Sequence, residues 1–215
     1  PSSAASDVYK RQIYEGLKET KKNIEEDENP CPILAYSSSK VKNEEDIKKS
    51  NKNYVILRLG SVYGYSSTDT MRINIMPNLF SKIASQNGEI SLFGGGKQIK
   101  SVVPLIDVVR CMKFMGDNDK IKKQTFNLVK ETVTVKEVAE ICKKHNPKIS
   151  IKVTEDEIPN LGYTLSNKKL LNTGFKFLYN LNESISEMIQ KWSFKYNNKD
   201  LEYKARGGKE FVDSR

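Results

Sequence analysis

The sequence predicts an α/β fold built on a parallel sheet, and three observations carry that prediction. A helical segment beginning near Leu34 or Ala35 and running to about Ser50 is followed at once by the apolar run "YVILRL", Tyr54 to Leu59, which Gly60 ends. A helix leading into a short, fully apolar strand is half of a βαβ alternation. A second buried strand, "QTFNLV", follows another helical stretch. Hydrophobic residues make up 37% of the 215 and aromatic residues 9%, enough for one sizeable core or two small lobes.

In chain order, "PSSAASDVYKRQ" at residues 1–12 has no initiator Met and no apolar periodicity. It is set aside as a foreign tail, with the natural reading frame expected to extend upstream. After Gly16 a charged surface stretch is expected, closing at "NPCPILAY", where Pro30 and Pro32 punctuate the approach to the first long helix. "INIMPNLFSKIASQNG" carries Ile75, Met76, Leu79, Phe80 and Ile83 on one helical stripe, with Gly88 as its stop. "EISLFGGGKQIKSVVPLIDVV" reads as strand, glycine turn and strand, entering a helix near Pro104 that ends at Gly116. "TVKE", Thr134 to Glu137, is a capping box opening a helix that stops before Pro147. Ile149, Ile151 and Val153 alternate as in a half-buried strand. A short helix before Gly174 follows, then "ESISEMIQKW" with Ile185, Met188, Ile189 and Trp192 on one face, and from about Asn197 a polar tail.

Several function classes are excluded by composition. The net charge is +9, but 30 of the 36 basic residues are Lys. They alternate with acids and Asn, as in "KKNIEEDEN" and "KNEEDIKKSNKN", the pattern of solvated helix faces rather than of phosphate-reading patches; no nucleic-acid partner is expected. Cys31, Cys111 and Cys142 are widely spaced, with His145 the one histidine, so neither a zinc site nor a disulfide framework follows. No apolar run approaches the roughly 18 residues of a membrane span, and no secretory signal is visible, which points to a cytoplasmic setting.

Chemistry enters at "AYSSSK", where Tyr36 and Lys40 stand four apart. With 10 Tyr and 30 Lys in the chain, chance alone gives roughly 1.4 such pairs, and Tyr14 with Lys18 is a second one. On a helix, residues four apart share a face, and an ammonium beside a tyrosine hydroxyl favours the phenolate. Taking a tyrosine from about 10 to near 7 needs roughly 4 kcal/mol, more than one exposed lysine supplies, so a second positive charge such as an oxidised nicotinamide is required. A tyrosine tuned in this way takes a proton from a sugar or alcohol hydroxyl while hydride leaves the same carbon. Context favours Tyr36, which precedes a buried strand and is flanked by small Ser37, Ser38 and Ser39; the alternative is an ordinary helix start with a snorkelling lysine.

From about Ile13 to Phe177 the sequence resembles the extended short-chain dehydrogenase/reductase family, in particular its NAD-dependent nucleotide-sugar epimerases and dehydratases. Five pieces in the family's order carry the resemblance: "NIEEDENPCPILAYSSSK", "RLGSVYG", "NIMPNLF", "SLFGGGKQIKSVVPLIDVV" and "LSNKKLLNTGF". It implies the C-terminal part of a Rossmann-type parallel sheet with a smaller α/β substrate-binding lobe. Residues 13–64 and 102–129 would be the remnant of the dinucleotide-binding domain, residues 65–101 and 130–196 the substrate-binding lobe, and 197–215 a tail. Tyr36 would be the acid/base, and Lys40 would hold the nicotinamide ribose. Gly60, Ser61 and Val62 would lie near the nicotinamide of NAD or NADP. Ser61, Asn74 and Lys100 would contact the nucleotide-sugar substrate, Lys100 standing where the family usually has a phosphate-binding Arg. Asn74 reads equally as a helix N-cap, and Lys100 as an exposed strand lysine. Family members are often dimers, so a homodimer is carried over on that ground alone.

The departures from the family pattern shape the expectation. Ser61 stands where Asn is common, Lys100 lacks the bidentate fork of Arg, and no Arg occurs between Arg110 and Arg206 to grip a diphosphate. The sequence has no GxxGxxG or GxGxxG; "GGGK" at Gly94 to Lys97 joins two strands and reads as a tight turn. The family's catalytic Ser/Thr would fall near Lys10 if "IYEG" is its Val-Tyr-Gly-like element, or at Ser3 or Ser6 if "DVYK" is. The expectation is an epimerase- or dehydratase-like oxidoreductase that is truncated and inactive as this chain. The alternatives are a 4-keto-sugar reductase of the same family and a non-catalytic binding protein that kept the fold.

Overall fold

The computed structural model describes the backbone of residues 5–65, 73–157 and 161–193, with side chains from Ile13 onward within those ranges. Ser3 and the tail 197–215 lie outside the described residues, as do the side chains of Ser6 and Lys10. In chain order the strands are β1 (Ala5–Lys10), β2 (Lys21–Ile24), β3 (Tyr54–Leu59), β4 (Ser61–Tyr63), β5 (Glu89–Leu92), β6 (Ile99–Pro104), β7 (Gln124–Leu128), β8 (Glu131–Thr134), β9 (Ser150–Val153) and β10 (Tyr163–Leu165). The helices are α1 (Ala35–Lys49), α2 (Met76–Ser85), α3 (Leu105–Gly116), α4 (Val135–His145), α5 (Lys168–Leu171) and α6 (Leu181–Ser193).

β3 is the centre of a parallel sheet in the order β1-β3-β7, in register from Ala5 opposite Tyr54 and from Val55 opposite Gln124. The pairing of Ala5–Lys10 departs from the reading that set residues 1–12 aside: with no apolar periodicity of its own, this segment takes its strand from the backbone groups of β3. β4 continues from β3 across Gly60, pairs parallel with β6, and β6 pairs antiparallel with β8. Two further parallel pairs, β2 with β10 and β5 with β9, complete the strand pattern.

Period-two alternation along β4 and β6 makes these strands a wall between two cores. Val62 and Val103 face the core formed by Leu57, Leu59, Val108, Cys111, Phe126 and Leu128. Their neighbours Tyr63 and Val102 face the other, with Phe80, Ile90, Val138, Ile185, Met188 and Trp192. Leu170 and Phe175 pack with the first core although in sequence they lie between Ile149 and Leu181, both of the second. The α6 stripe is as predicted, with Ile185, Met188, Ile189 and Trp192 buried together with Leu181. Each large apolar side chain buried in this way stabilises the fold by about 1.5–3 kcal/mol.

Three local readings are corrected. The stretch after Gly16 is not only charged surface: β2 forms there by pairing with β10, and it buries Ile24, whose carbonyl accepts from the Ser166 amide at 2.8 Å and from Asn127 Nδ2 at 3.0 Å. α2 ends at Ser85, and the left-handed residue is Asn87 (φ 55°), with the Gly88 amide closing back onto Ile83 at 3.0 Å. Val153 is 59% exposed: among the described residues β9 pairs with β5 alone, and Ile149 and Ile151 rather than Val153 reach the core. The glycine turn is tight, as predicted: Gly94, Gly95 and Gly96 all have positive φ between 54° and 70°, and β5 and β6 leave it for different sheets.

The capping box is present on both sides: the Glu137 amide donates to Thr134 Oγ1 at 3.1 Å, and the Thr134 amide to Glu137 Oε2 at 2.6 Å. Thr134→Ala is expected to cost about 0.5–2 kcal/mol in urea unfolding. An unchanged midpoint would show that packing alone holds the start of α4. Among the described residues no helix is long and apolar enough to cross a membrane, and no group of His, Cys, Asp or Glu is placed to hold a metal ion.

Candidate active site

α1 begins at Ala35 after an extended Leu34 that offers no capping side chain. Glu15, from the turn after the first sheet strand, supplies the missing acceptor. It takes the amides of Ile33 at 3.0 Å and Leu34 at 2.6 Å, together with the hydroxyl of Ser37. Ser37 is buried and also donates to the Leu34 carbonyl at 2.9 Å. Burial pushes the Glu15 carboxyl up, but the bonds from Ser37, Leu34 and Ile33 outweigh it and leave the group below its ordinary 4.5.

Tyr36, bracketed by this clamp, is 45% exposed on the first turn. Lys40 lies one turn on, with its ammonium 5.7 Å from the Tyr36 ring centroid. Another turn along the same stripe, Glu44 is buried. It receives Arg58 of β3 on both oxygens, Nε to Oε1 at 2.9 Å and Nη2 to Oε2 at 2.8 Å. Arg58 Nη1 donates in turn to the Tyr14 hydroxyl at 2.6 Å and the Glu26 carbonyl at 3.0 Å. The Glu26 carboxylate accepts the Asn127 amide at 2.7 Å. The helix carrying Tyr36 and Lys40 is therefore fastened at its first turn by Glu15 and at its third by Arg58.

The two Tyr-x-x-x-Lys pairs are now separated. Tyr14 is fully buried, its hydroxyl is held by Arg58, and burial first of all raises its pKa to about 12. It serves the core, whereas Tyr36 faces solvent. The expectation that "KNEEDIKKSNKN" forms only a solvated face fails at Glu44, which a buried guanidinium draws inward.

Gly60, Ser61 and Val62 lead into and form β4, with Ser61 opposite Val102 of β6. Lys100 lies on the same β6, opposite Val133 of β8, and is half-buried. A β-carbon at Gly60 would meet the Ser101 carbonyl oxygen at 2.8 Å and Val129 Cγ1 at 2.9 Å. Gly60→Ala is accordingly expected to cost about 1–3 kcal/mol by overpacking, read as a lower midpoint in urea. Wild-type stability would mean that β6 gives way freely. Asn74 stands in the turn before α2, but the N-cap is Ile75, so the capping reading of Asn74 does not hold. Asn78 is buried and takes the Gly64 amide on its Oδ1 at 3.0 Å, fixing the exit of β4.

Beyond β4, a cavity of about 300 Å³ opens among Tyr63, Tyr65, Leu105, Tyr179, Ser184 and Lys191. Asp107, fully buried in the first turn of α3, stitches its rim by accepting the amides of Leu178 at 3.2 Å and Tyr179 at 3.1 Å. Sequence reading missed Glu15 and Glu44, and gave Asp107 no role. A buried-strand arginine such as Arg58 signals that a carboxylate must meet it, but not which one.

A parallel sheet in the order β1-β3-β7, its central strand preceded by the helix that carries exposed Tyr36 and half-buried Lys40, places the chain among α/β folds of Rossmann type. The chain belongs to the NAD dependent epimerase/dehydratase family, whose model matches residues 11–128, more than half of its length. Among solved structures it is similar to UDP-glucose 4-epimerase from Thermotoga maritima, with UDP-glucose bound (TM-score 0.74, 19% identity, 88% of this chain and 62% of that chain). It is also similar to UDP-glucuronic acid 4-epimerase from Bacillus cereus in complex with UDP-glucuronic acid and NAD (TM-score 0.74, 18% identity, 89% and 62%). A third is the Thermus thermophilus UDP-glucose 4-epimerase complex with NAD (TM-score 0.68, 20% identity, 87% and 63%). The chain thus spans under two thirds of the length of these structures. No curated protein sequence matches it.

Proposed function

We propose that this chain is part of an NAD(P)-dependent nucleotide-sugar epimerase or dehydratase in which Tyr36 is the acid/base and Lys40 its charged partner. The observation that supports this most is the contrast within α1 and its surroundings. Tyr36 is open to solvent beside the Lys40 ammonium, while the competing Tyr14 is sealed in the core. Family membership and neighbours that bind UDP-sugars and NAD support the substrate and cofactor class.

The residues present fit the nicotinamide end of such a cofactor. Tyr36 and Lys40 share an accessible face, and Gly60, whose β-carbon position is filled by the neighbouring strand, keeps the start of β4 against β6. A bound nicotinamide supplies the hydride acceptor. Tyr36 takes the proton of the sugar hydroxyl at the carbon being oxidised and returns it when the carbonyl is reduced. Lys40 stabilises the phenolate formed in between and donates to the ribose. Ser61, Asn74 and Lys100 hold the nucleotide sugar, Lys100 as a point charge on phosphate. In this reading the core around Leu57 and Val103 is the dinucleotide-binding side, and the core around Phe80 and Trp192 is the substrate lobe. The three free cysteines suit a cytoplasmic setting.

The test is incubation of the complete protein of which this chain is part with UDP-glucose or UDP-glucuronic acid and a trace of NAD, followed by NMR of the sugar. The C4 epimer forming without net NADH is the expected result. Stoichiometric consumption of NADPH on a 4-keto sugar nucleotide would make the protein a reductase. Saturable UDP-sugar binding without conversion would make it a binding protein that kept the fold.

A further inference from the structure

We infer that Glu15 is a positioning residue for Tyr36, serving from a distance as the acceptor that a helix normally carries in its own first turn. α4 shows the usual arrangement, in which Glu137 reaches back three residues to the Thr134 amide. In α1 the corresponding position is Ser37, whose hydroxyl is too short to reach back to the amides of Ile33 and Leu34. Glu15 makes both of those bonds and holds the Ser37 hydroxyl as well, from 18 to 22 residues away. The residues it grips stand on both sides of Tyr36, so the backbone that aims the phenol ring is fixed by a carboxylate outside the helix. Arg58 acts two turns further along α1, through Glu44. Only the catalytic consequence rests on the reading of Tyr36 as acid/base; the clamp itself is a statement about backbone and ring order.

The wild-type protein offers one test without any substitution. The groups bonded to Glu15 are two amides and a hydroxyl, none of which titrates in the acid range. Its carboxyl lies below the ordinary 4.5, so the clamp is complete above that pH and is lost as pH falls through the folded value. Hydrogen exchange at Ile33 and Leu34, corrected for intrinsic rate, should accelerate over that descent.

The decisive experiment combines Glu15→Ala and Glu15→Gln with exchange and with NMR of tyrosine labelled at Cζ, the Tyr36 signal being assigned through Tyr36→Phe. In Glu15→Ala, exchange at Ile33 and Leu34 is expected to rise at least about tenfold. The Tyr36 signal should move or broaden while that of Tyr63, in the other core, stays in place. Glu15→Gln keeps an acceptor oxygen and should recover part of the protection. Unchanged exchange and an unmoved Tyr36 signal would overturn the inference. So would an acceleration shared equally by all buried amides, which would mark Glu15 as a general stabiliser. If Glu15→Ala does not fold, Glu15→Gln and the wild-type pH series test the same clamp with the same two readouts. Loss of the catalytic reading would show instead as normal turnover in Tyr36→Phe, with the exchange results intact.

Discussion

Tyr36→Phe is expected to lower turnover by about 10²–10⁴-fold while leaving cofactor and UDP-sugar affinity nearly unchanged. That loss corresponds to about 2.7–5.4 kcal/mol at 1.36 kcal/mol per decade. The substitution removes one hydroxyl and keeps the ring that Lys40 faces at 5.7 Å. Because Tyr36 is 45% exposed and its backbone is held through Glu15 and Ser37, the fold should not notice the change. Measuring kcat and KM separately, in a form shown to turn over, decides the matter. An unchanged kcat removes Tyr36 from the chemistry, and a raised KM with normal kcat would make it a binding group only.

Arg58→Ala carries the largest expected cost to stability, about 3–5 kcal/mol, set against the roughly 5–15 kcal/mol that holds an ordinary domain together. Glu44 is 2% exposed, and in this variant it would keep the 3.4 Å contact with Lys48 but lose both bonds from Arg58, leaving a carboxylate desolvated without its main partner. The Tyr14 hydroxyl and the Glu26 carbonyl would lose their donor at the same time. Urea unfolding reads the effect directly. Combining Arg58→Met with Glu44→Leu should recover much of the loss, because an apolar pair of similar volume removes the uncompensated charge. A cost below about 1 kcal/mol for Arg58→Ala would show that water reaches Glu44 and that the pair behaves like a surface bridge. Either result bears on function, since Glu44 lies one helical turn beyond Lys40 and its bond to Arg58 ties that helix to the central strand.

What the amino-acid sequence determined was whatever rests on neighbours a few residues apart. α1, α3, α4 and α6, the strands β3 and β7, the glycine turn and the Thr134–Glu137 box follow from periodicity, caps and turn chemistry, all of which act within one or two helical turns. The Tyr36–Lys40 pair was legible for the same reason: residues four apart on a helix must share a face. Its separation from Tyr14–Lys18 was suggested by context, and the burial of Tyr14 then gave a physical ground for it.

Only the tertiary structure decided which polar groups meet across the chain. Glu15 with Ser37, Glu44 with Arg58, and Glu26 with Asn127 are 22, 14 and 101 residues apart. Nothing local distinguishes Glu44 from the exposed acids around it in "KNEEDIKK" until β3 brings a buried guanidinium against that face. β1 and β2 were missed on the same grounds, since each becomes a strand by lending its backbone to a partner far along the sequence. A charged or irregular segment does not reveal its structure by its own pattern when what orders it is the unmet hydrogen-bonding demand of an edge or a buried charge elsewhere.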